Sequence, residues 1–127
     1  MKELTRAEEQ VMRCLWKIKS GFLKQIIEQF PEPKPAYTTV STVIRVLVKK
    51  GFISYRTHGK SHEYYPLVSR DKYFKNHFKI LVKNYFSNSP QRFVSFFTEK
   101  NNLDLTELEE MKIIIEEQIR KKRAEAS

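Results

Sequence analysis

The segment YTTVSTVIRVLVKK, residues 37–50, has the clearest structural pattern in the chain. With about 100° of rotation per residue, as in an α-helix, its aliphatic side chains fall on one face: Val40, Val43, Ile44 and Leu47. The opposite face has short hydroxyls, two cations and no acid: Thr38, Ser41, Thr42, Arg45 and Lys49. Thr and Ser are poor helix formers, and a merely solvated face is usually rich in Glu and Lys. This stripe therefore favours close approach to phosphates and base edges.

Two helices are predicted before this segment. Thr5, with Glu8 three residues later, has capping-box spacing, and an apolar pattern of helical period continues to about residue 20. A second helix over residues 22–30 ends at Pro31, where three prolines in five residues cannot continue a helix. The proline stretch, residues 31–35, is expected to be a stiff connector.

A basic β-hairpin is predicted after the segment. Gly51 suits the end of the third helix, and residues 52–57 and 62–67 have strand composition on either side of a turn at 58–61. Pro66 fits only near the end of the second strand. Three helices followed by such a hairpin, or wing, indicate a winged helix-turn-helix. The expected DNA contacts are Thr38, Thr39, Ser41, Thr42 and Arg45 in the major groove, and Lys49, Lys50, Arg56, His58 and Lys60 on the backbone or minor groove.

The second half is predicted to be entirely helical. Apolar pairs recur every four residues over 73–86, a short apolar helix covers 93–97, and Asp104 with Glu107 caps a last helix that frays from Arg120. These aromatic side chains exceed what a small appendage can bury, so we expect a homodimer interface rather than helices folded back on the winged helix. Its expected residues are Tyr73, Phe74, Phe78, Leu81, Tyr85, Phe86, Phe93, Phe96, Phe97, Leu108, Met111, Ile115 and Ile119. The expected domains are 1–70 for DNA binding and 71–127 for dimerisation, in a mostly α fold with one small hairpin.

The charge of the chain follows the same division. The formal net charge is +9, of which residues 1–70 contribute +7 and residues 71–127 contribute +2. A basic half could serve solubility alone, but together with the polar stripe it favours a polyanionic partner. Apolar runs are short, such as Ile113-Ile114-Ile115, and no signal segment opens the chain, so a cytoplasmic protein without membrane insertion is expected.

Sites for catalysis or cofactors are not apparent in the sequence. With one cysteine, Cys14, a disulfide scaffold or multi-cysteine zinc site is excluded, and three glycines offer little material for a nucleotide-binding loop. We therefore expect a non-enzyme without cofactor or metal. Cys14 fits a buried position better than a thiol enzyme. His58 and His62 fit phosphate contacts or solvated positions better than a zinc pair or a Cys–His dyad. The alternative function is a winged helix used for protein interaction, which would need an exposed apolar patch on the third helix.

The chain resembles the BlaI/MecI penicillinase-repressor family over nearly its whole length. The matching stretches are LTRAEEQVM (4–12), TVSTVIR (39–45), LVKKGFI (47–53), YYPL (64–67) and residues 93–110. The resemblance implies an N-terminal winged helix that binds operator DNA and C-terminal helices that dimerise. Ala36 stands where a capping Ser is common in the family. The paired tail cysteines of its copper-responsive members are absent.

The resemblance also implies a partner protein. In the family, a membrane sensor protease typically relieves repression by cutting between an Asn and a Phe in the fifth helix. Alignment on residues 97–100 makes Phe96-Phe97 the corresponding bond, with Phe96 in place of the Asn. The chain thus departs from the family's cleavage sequence, and a different inducing signal is an open alternative.

Overall fold

The computed structural model describes all 127 residues of the chain. It has six helices and one antiparallel hairpin, in the mostly α, winged-helix arrangement that the sequence predicted. The elements are α1 (Arg6–Ile18), α2 (Leu23–Glu28), α3 (Tyr37–Lys49), β1 (Ile53–His58), β2 (Ser61–Pro66), α4 (Arg70–Tyr85), α5 (Pro90–Lys100) and α6 (Leu105–Ala126). The chain forms two compact units, residues 1–79 and 80–127. No helix has both the length and the apolar character needed to cross a membrane.

Helix α1 begins with the predicted capping box. The backbone N–H of Glu8 donates to Thr5 Oγ1 at 3.2 Å, and the N–H of Thr5 donates to Glu8 Oε1 at 2.8 Å. These bonds satisfy two of the N–H groups that a helix end leaves unpaired. At the other end, Lys19 has a φ of 72° and its N–H donates to the carbonyl of Leu15 at 2.7 Å. Local hydrogen bonds therefore cap both ends of α1.

The N-terminal unit has its core between α1, α2 and α3. Met12, Leu15, Ile26 and Leu47 have no exposed surface, and each helix contributes the apolar face predicted for it. Gly21 ties this core to the hairpin, because its N–H and carbonyl both bond to the backbone of Tyr64, at 3.0 and 2.8 Å. A side chain there would start 2.7 Å from Ile18 Cδ1, so glycine permits the close approach.

Each strand of the hairpin lies one residue nearer the turn than predicted. Its register runs from Ile53↔Pro66 to His58↔Ser61, which leaves Gly59 and Lys60 as the two-residue turn. Gly59 has a φ of 63°, the left-handed conformation that such turns require. Pro66 is the last residue of its strand, as expected. We call this β1–β2 hairpin the wing.

The start of α4 belongs to the N-terminal unit, whereas the sequence pattern placed the boundary at residue 70. Tyr73 is buried and its ring lies 5.9 Å from that of Trp16 and 6.0 Å from that of Phe52. Its hydroxyl accepts the backbone N–H of Leu4 at 3.1 Å. Trp16 in turn donates to the carbonyl of Val68 at 2.8 Å. The first turns of α4 thus complete the core of residues 1–79.

The C-terminal unit consists of the end of α4 with α5 and α6. Phe86 contacts the rings of Phe93 and Phe96, each at a centroid distance of 5.5 Å. Helix α6 begins with the predicted capping box, in which Glu107 N–H donates to Asp104 Oδ1 at 2.8 Å. The prediction that α6 frays from Arg120 was wrong, since the helix continues to Ala126. Ion pairs along the helix join residues of this end, Arg120 with Glu117 and Lys122 with Glu125.

Candidate nucleic-acid interface

Helix α3 exposes its polar stripe because its opposite face lies in the core. Val40, Ile44 and Leu47 have exposures of 2% or less. The exposed side carries five of the predicted contacts, Thr38, Thr39, Thr42, Arg45 and Lys49, and Ser41 is half-buried. Helix α3 contains no acid. Neither of its exposed cations forms a salt bridge, so both remain available to a polyanion.

The hydroxyl of Thr42 has a defined hydrogen-bonding role. Its Oγ1 donates to the carbonyl of Thr38, one turn earlier, at 2.9 Å. The proton is thereby used within the helix, and the oxygen lone pairs are left as acceptors. An acceptor suits the amino groups of bases in the major groove better than phosphate oxygens, which only accept.

The N-terminus of α3 has no side-chain cap. Ala36 occupies the cap position and makes no capping hydrogen bond, as its substitution for the family's Ser implies. The first N–H groups of the helix can therefore donate to an external acceptor. Tyr37 follows at 63% exposure. It was missed in the sequence because it begins the helix and belongs to neither of its faces.

The wing holds two of its predicted contacts in a small network. Arg56 lies over the ring of Tyr65 at 4.6 Å and 3.9 Å from Glu63 Oε1, and His58 Nε2 lies 3.2 Å from the same oxygen. Lys60, in the turn, is exposed and forms no salt bridge. Glu63 therefore offsets part of the wing's charge, while Lys60 keeps its full charge for a ligand.

The two wing histidines do not face each other. His58 pairs with Ser61 in the register and His62 pairs with Thr57, so alternation places their side chains on opposite faces of the hairpin. The ring of His62 lies 4.2 Å from that of Tyr55. No group of three or more potential metal ligands occurs in the structure. A zinc pair formed by these two histidines is thus incompatible with the hairpin.

A cavity of about 290 Å³ joins α2, the start of α3 and the wing. Among its lining residues are the predicted contacts Ser41 and Lys60, and also Lys24 and Tyr37. Lys24 was not predicted from the sequence, because only folding brings α2 beside the wing. Burial raises the pKa of Tyr64 in the same cavity, and Tyr37 adds to the shift while Arg45 opposes it. Its hydroxyl thus stays a neutral donor beside the α3 cation.

Lys50, another predicted DNA contact, is held in an ion pair within the unit. Its Nζ binds both carboxylate oxygens of the buried Glu8, at 2.8 and 2.7 Å, and links α3 to α1. Burial alone would raise the pKa of the Glu8 carboxyl, but the hydrogen bonds from Lys50 and Thr5 outweigh it and lower the pKa. The sequence showed Glu8 only as a capping residue, because its partner lies 42 positions away.

The exposed face of α3 also bears on the alternative function, a winged helix used for protein interaction. Its exposed apolar side chains are Tyr37 and Val46. They are nine positions apart, which places them on opposite sides of the helix and about 14 Å apart along it. The apolar patch that a protein-binding third helix would need is therefore not formed.

Most predicted dimer residues remain open to solvent within the chain. Tyr73 is the exception, because its ring and hydroxyl are used in the N-terminal core. In the C-terminal unit an apolar cavity of about 680 Å³ is lined by Leu81, Tyr85, Phe86, Phe93, Phe96, Phe97 and Asn101. Of the others, Phe74, Leu108, Ile115 and Ile119 are exposed, and Phe78 and Met111 are half-buried.

Known proteins resemble the chain across both units. A family model described as Penicillinase repressor matches residues 4–117. The methicillin resistance regulatory protein MecI of Staphylococcus aureus (strain N315) is 31% identical over 114 residues, 89% of this chain and 93% of MecI. The penicillinase repressor of Bacillus licheniformis is 23% identical over 122 residues, 95% of each chain. The solution structure of the DNA-binding domain of the repressor BlaI covers 57% of this chain and 94% of that one, with 26% identity and a TM-score of 0.49.

Proposed function

The chain belongs to the penicillinase repressor family, and from that membership we propose that it represses transcription by binding operator DNA as a homodimer. The observation that carries the proposal is the exposed face of α3, which has no acid and on which Arg45 and Lys49 form no salt bridge. The wing cation Lys60 lines the same cavity as Ser41 of this helix. A helix of this polarity fits the major groove, where short side chains allow close approach.

We assign recognition of the DNA base sequence to Arg45. It is exposed, has no carboxylate partner and projects from the middle of α3, so its guanidinium can bind a guanine edge through two hydrogen bonds. Thr42, as an acceptor, would contact a base amino group, and Thr38, Thr39 and Ser41 would contact phosphates or bases near the start of the helix.

We assign contacts with the phosphate backbone of DNA to the wing and α2. Lys24 and Lys60 line the same cavity as Tyr37 and Ser41, so a phosphate there would meet two cations and two hydroxyls. Lys49 would extend the phosphate contacts along α3. Arg56 and His58 would contribute from the wing, where a phosphate would compete with the Glu63 carboxylate for both side chains. Such contacts raise affinity for any duplex without reading sequence.

Dimerisation is assigned to the C-terminal unit. The 680 Å³ cavity and the stripe of Leu108, Ile115 and Ile119 on α6 leave large apolar side chains exposed in a single chain. Contiguous exposed apolar surface is typical of protein-interaction sites. A second copy would cover it and would place two α3 helices on a two-fold operator.

The candidate bond for proteolytic relief is Phe96–Phe97, in α5. Both side chains are exposed, at 51% and 36%. The bond lies inside a helix that ends only at Lys100, so a protease must first unwind α5 locally. Co-expression with a membrane sensor protease should give a fragment ending at Phe96 in mass spectra. An intact chain under inducing conditions would show that another signal relieves repression.

Replacement of Arg45 tests the DNA proposal directly. We expect Arg45→Ala to weaken binding to a duplex from the upstream region of the chain's own gene by about 1–3 kcal/mol and to reduce discrimination against a shuffled duplex. Fluorescence anisotropy measures both effects. Arg70→Ala is the matched control, because Arg70 is an exposed arginine of the same unit that lies outside α3 and the wing. Equal affinity of wild type and Arg45→Ala would refute the assignment.

A further inference from the structure

A second cavity of the N-terminal unit lies away from α3 and the wing. It has a volume of about 460 Å³, within the range of small-molecule sites. One wall is α1, with Arg13, Cys14 and Lys17, and the other is Phe30 with the prolines of the 31–35 connector. None of these side chains belongs to the proposed DNA surface, so the cavity needs an explanation of its own.

The connector wall is fixed in the free protein. Lys34 Nζ donates to the carbonyls of Glu28 and Phe30, at 3.0 and 2.8 Å, and so ties the connector to the end of α2. Proline rings have little conformational freedom and no N–H group, so this wall presents rigid apolar surface. A ligand would therefore meet a preformed site and would not need to order a loop.

The charged side chains of the cavity are all cations and lie on its α1 wall. Arg13 and Lys17 line it, and no acid does. Arg13 is paired with Glu9 one turn back along α1, whereas Lys17 forms no salt bridge. Burial raises the pKa of the Cys14 thiol although Lys17 and Lys34 oppose the shift, so the thiol remains a neutral part of the wall. The cavity thus combines an apolar wall with cations on one side.

We propose that this cavity binds a small amphipathic carboxylate. Its apolar body would lie against Phe30 and the connector prolines, and its carboxylate would lie between Lys17 and Arg13. Both charged contacts come from one helix face, because residues 13 and 17 are one turn apart. The site is separate from the DNA surface, so binding there is expected whether or not the DNA assignment is correct.

Titration with 2-naphthoate locates the site. In full-length protein labelled with ¹⁵N, we expect saturable amide shifts at residues 10–17 and 29–35. The uncharged analogue 2-naphthalenemethanol should bind about two- to five-fold more weakly, the effect of an exposed charge pair. Shifts confined to the apolar cavity of residues 81–101, or equal affinity for both compounds, would overturn the proposal.

A pair of variants tests the charge contribution. Lys17→Gln should weaken 2-naphthoate binding by about two- to five-fold and leave the affinity for the uncharged analogue unchanged. Lys75→Gln, the same change at an exposed position of α4 outside the cavity, should leave both affinities unchanged. Equal losses in the two variants would show an effect of net charge alone and would overturn the site.

Discussion

The two units of the molecule bury their apolar side chains to very different degrees. In residues 1–79, three helices, the wing and the start of α4 enclose a core that includes fully buried Met12 and Leu47. In residues 80–127, Val82 is the only buried apolar side chain, and α5 and α6 have none. The first unit is complete as a single chain and displays charge, whereas the second displays apolar surface. The difference supports our proposal that the first unit binds a polyanion and the second associates with another protein chain.

The largest expected effect is on association. Ile115→Asp puts a charge on the exposed α6 stripe, and each dimer would bury it twice, so we expect dimerisation to weaken by at least about 3 kcal/mol. Sedimentation velocity measures the monomer–dimer equilibrium. Thr106→Asp is the matched control, because it adds the same charge on the opposite side of α6. An unchanged equilibrium for Ile115→Asp would show that the α6 stripe is not the interface.

The next effect separates Lys50, which pairs with Glu8, from its neighbour Lys49, which we propose contacts DNA. Lys50→Ala leaves the carboxylate of Glu8 buried without its partner, so we expect unfolding free energy to fall by about 2–4 kcal/mol. Lys49→Ala, next in sequence but exposed, should change it by less than about 0.5 kcal/mol. Urea denaturation measures both. If Lys50→Ala lowers operator affinity and leaves stability unchanged, Lys50 belongs with the DNA contacts after all.

The same ion pair predicts a pH dependence of stability. Because the pKa of Glu8 in the folded state lies below its ordinary 4.5, the stability contributed by the carboxylate is present above that pH. It is lost as the pH falls through the folded-state value. Urea midpoints of wild type and Glu8→Gln should therefore differ most near neutral pH and converge in acid. A difference that does not depend on pH would contradict the linkage.

The smallest expected effect is at the wing. Lys60→Ala removes an unpaired cation of the turn, so binding to operator and to unrelated duplex should weaken about equally, and the salt slope should fall by about one unit. Anisotropy titrations over a range of salt concentrations give both quantities. Selective loss of operator affinity would instead make Lys60 a base contact.

The elements that follow from local chemistry could be predicted from the sequence. The capping boxes at Thr5 and Asp104, the apolar face of α3 and the order of helices and hairpin are each set by residues within a few positions of one another. The comparisons with known repressors confirm the family to which these motifs pointed.

The features that the sequence did not reveal depend on long-range contacts. The ion pair of Lys50 was not foreseen because its partner Glu8 is 42 residues away, and the hydrogen bond of Tyr73 was not foreseen because its partner Leu4 is 69 residues away. Lys24 was overlooked because only the folded chain brings α2 beside the wing. Periodicity identifies a buried or charged face, but it does not identify what that face meets.

The most direct test of the DNA assignment is an NMR titration of full-length ¹⁵N-labelled protein with operator duplex. We expect the perturbed amides to cluster in α3 and the wing, at residues 37–49 and 56–62, with Lys24 beside them. Residues of α1 and the basic end of α6, 120–123, should remain unperturbed. Perturbation centred on α6, or spread over α1 with α3 silent, would contradict the assignment of DNA binding to α3 and the wing.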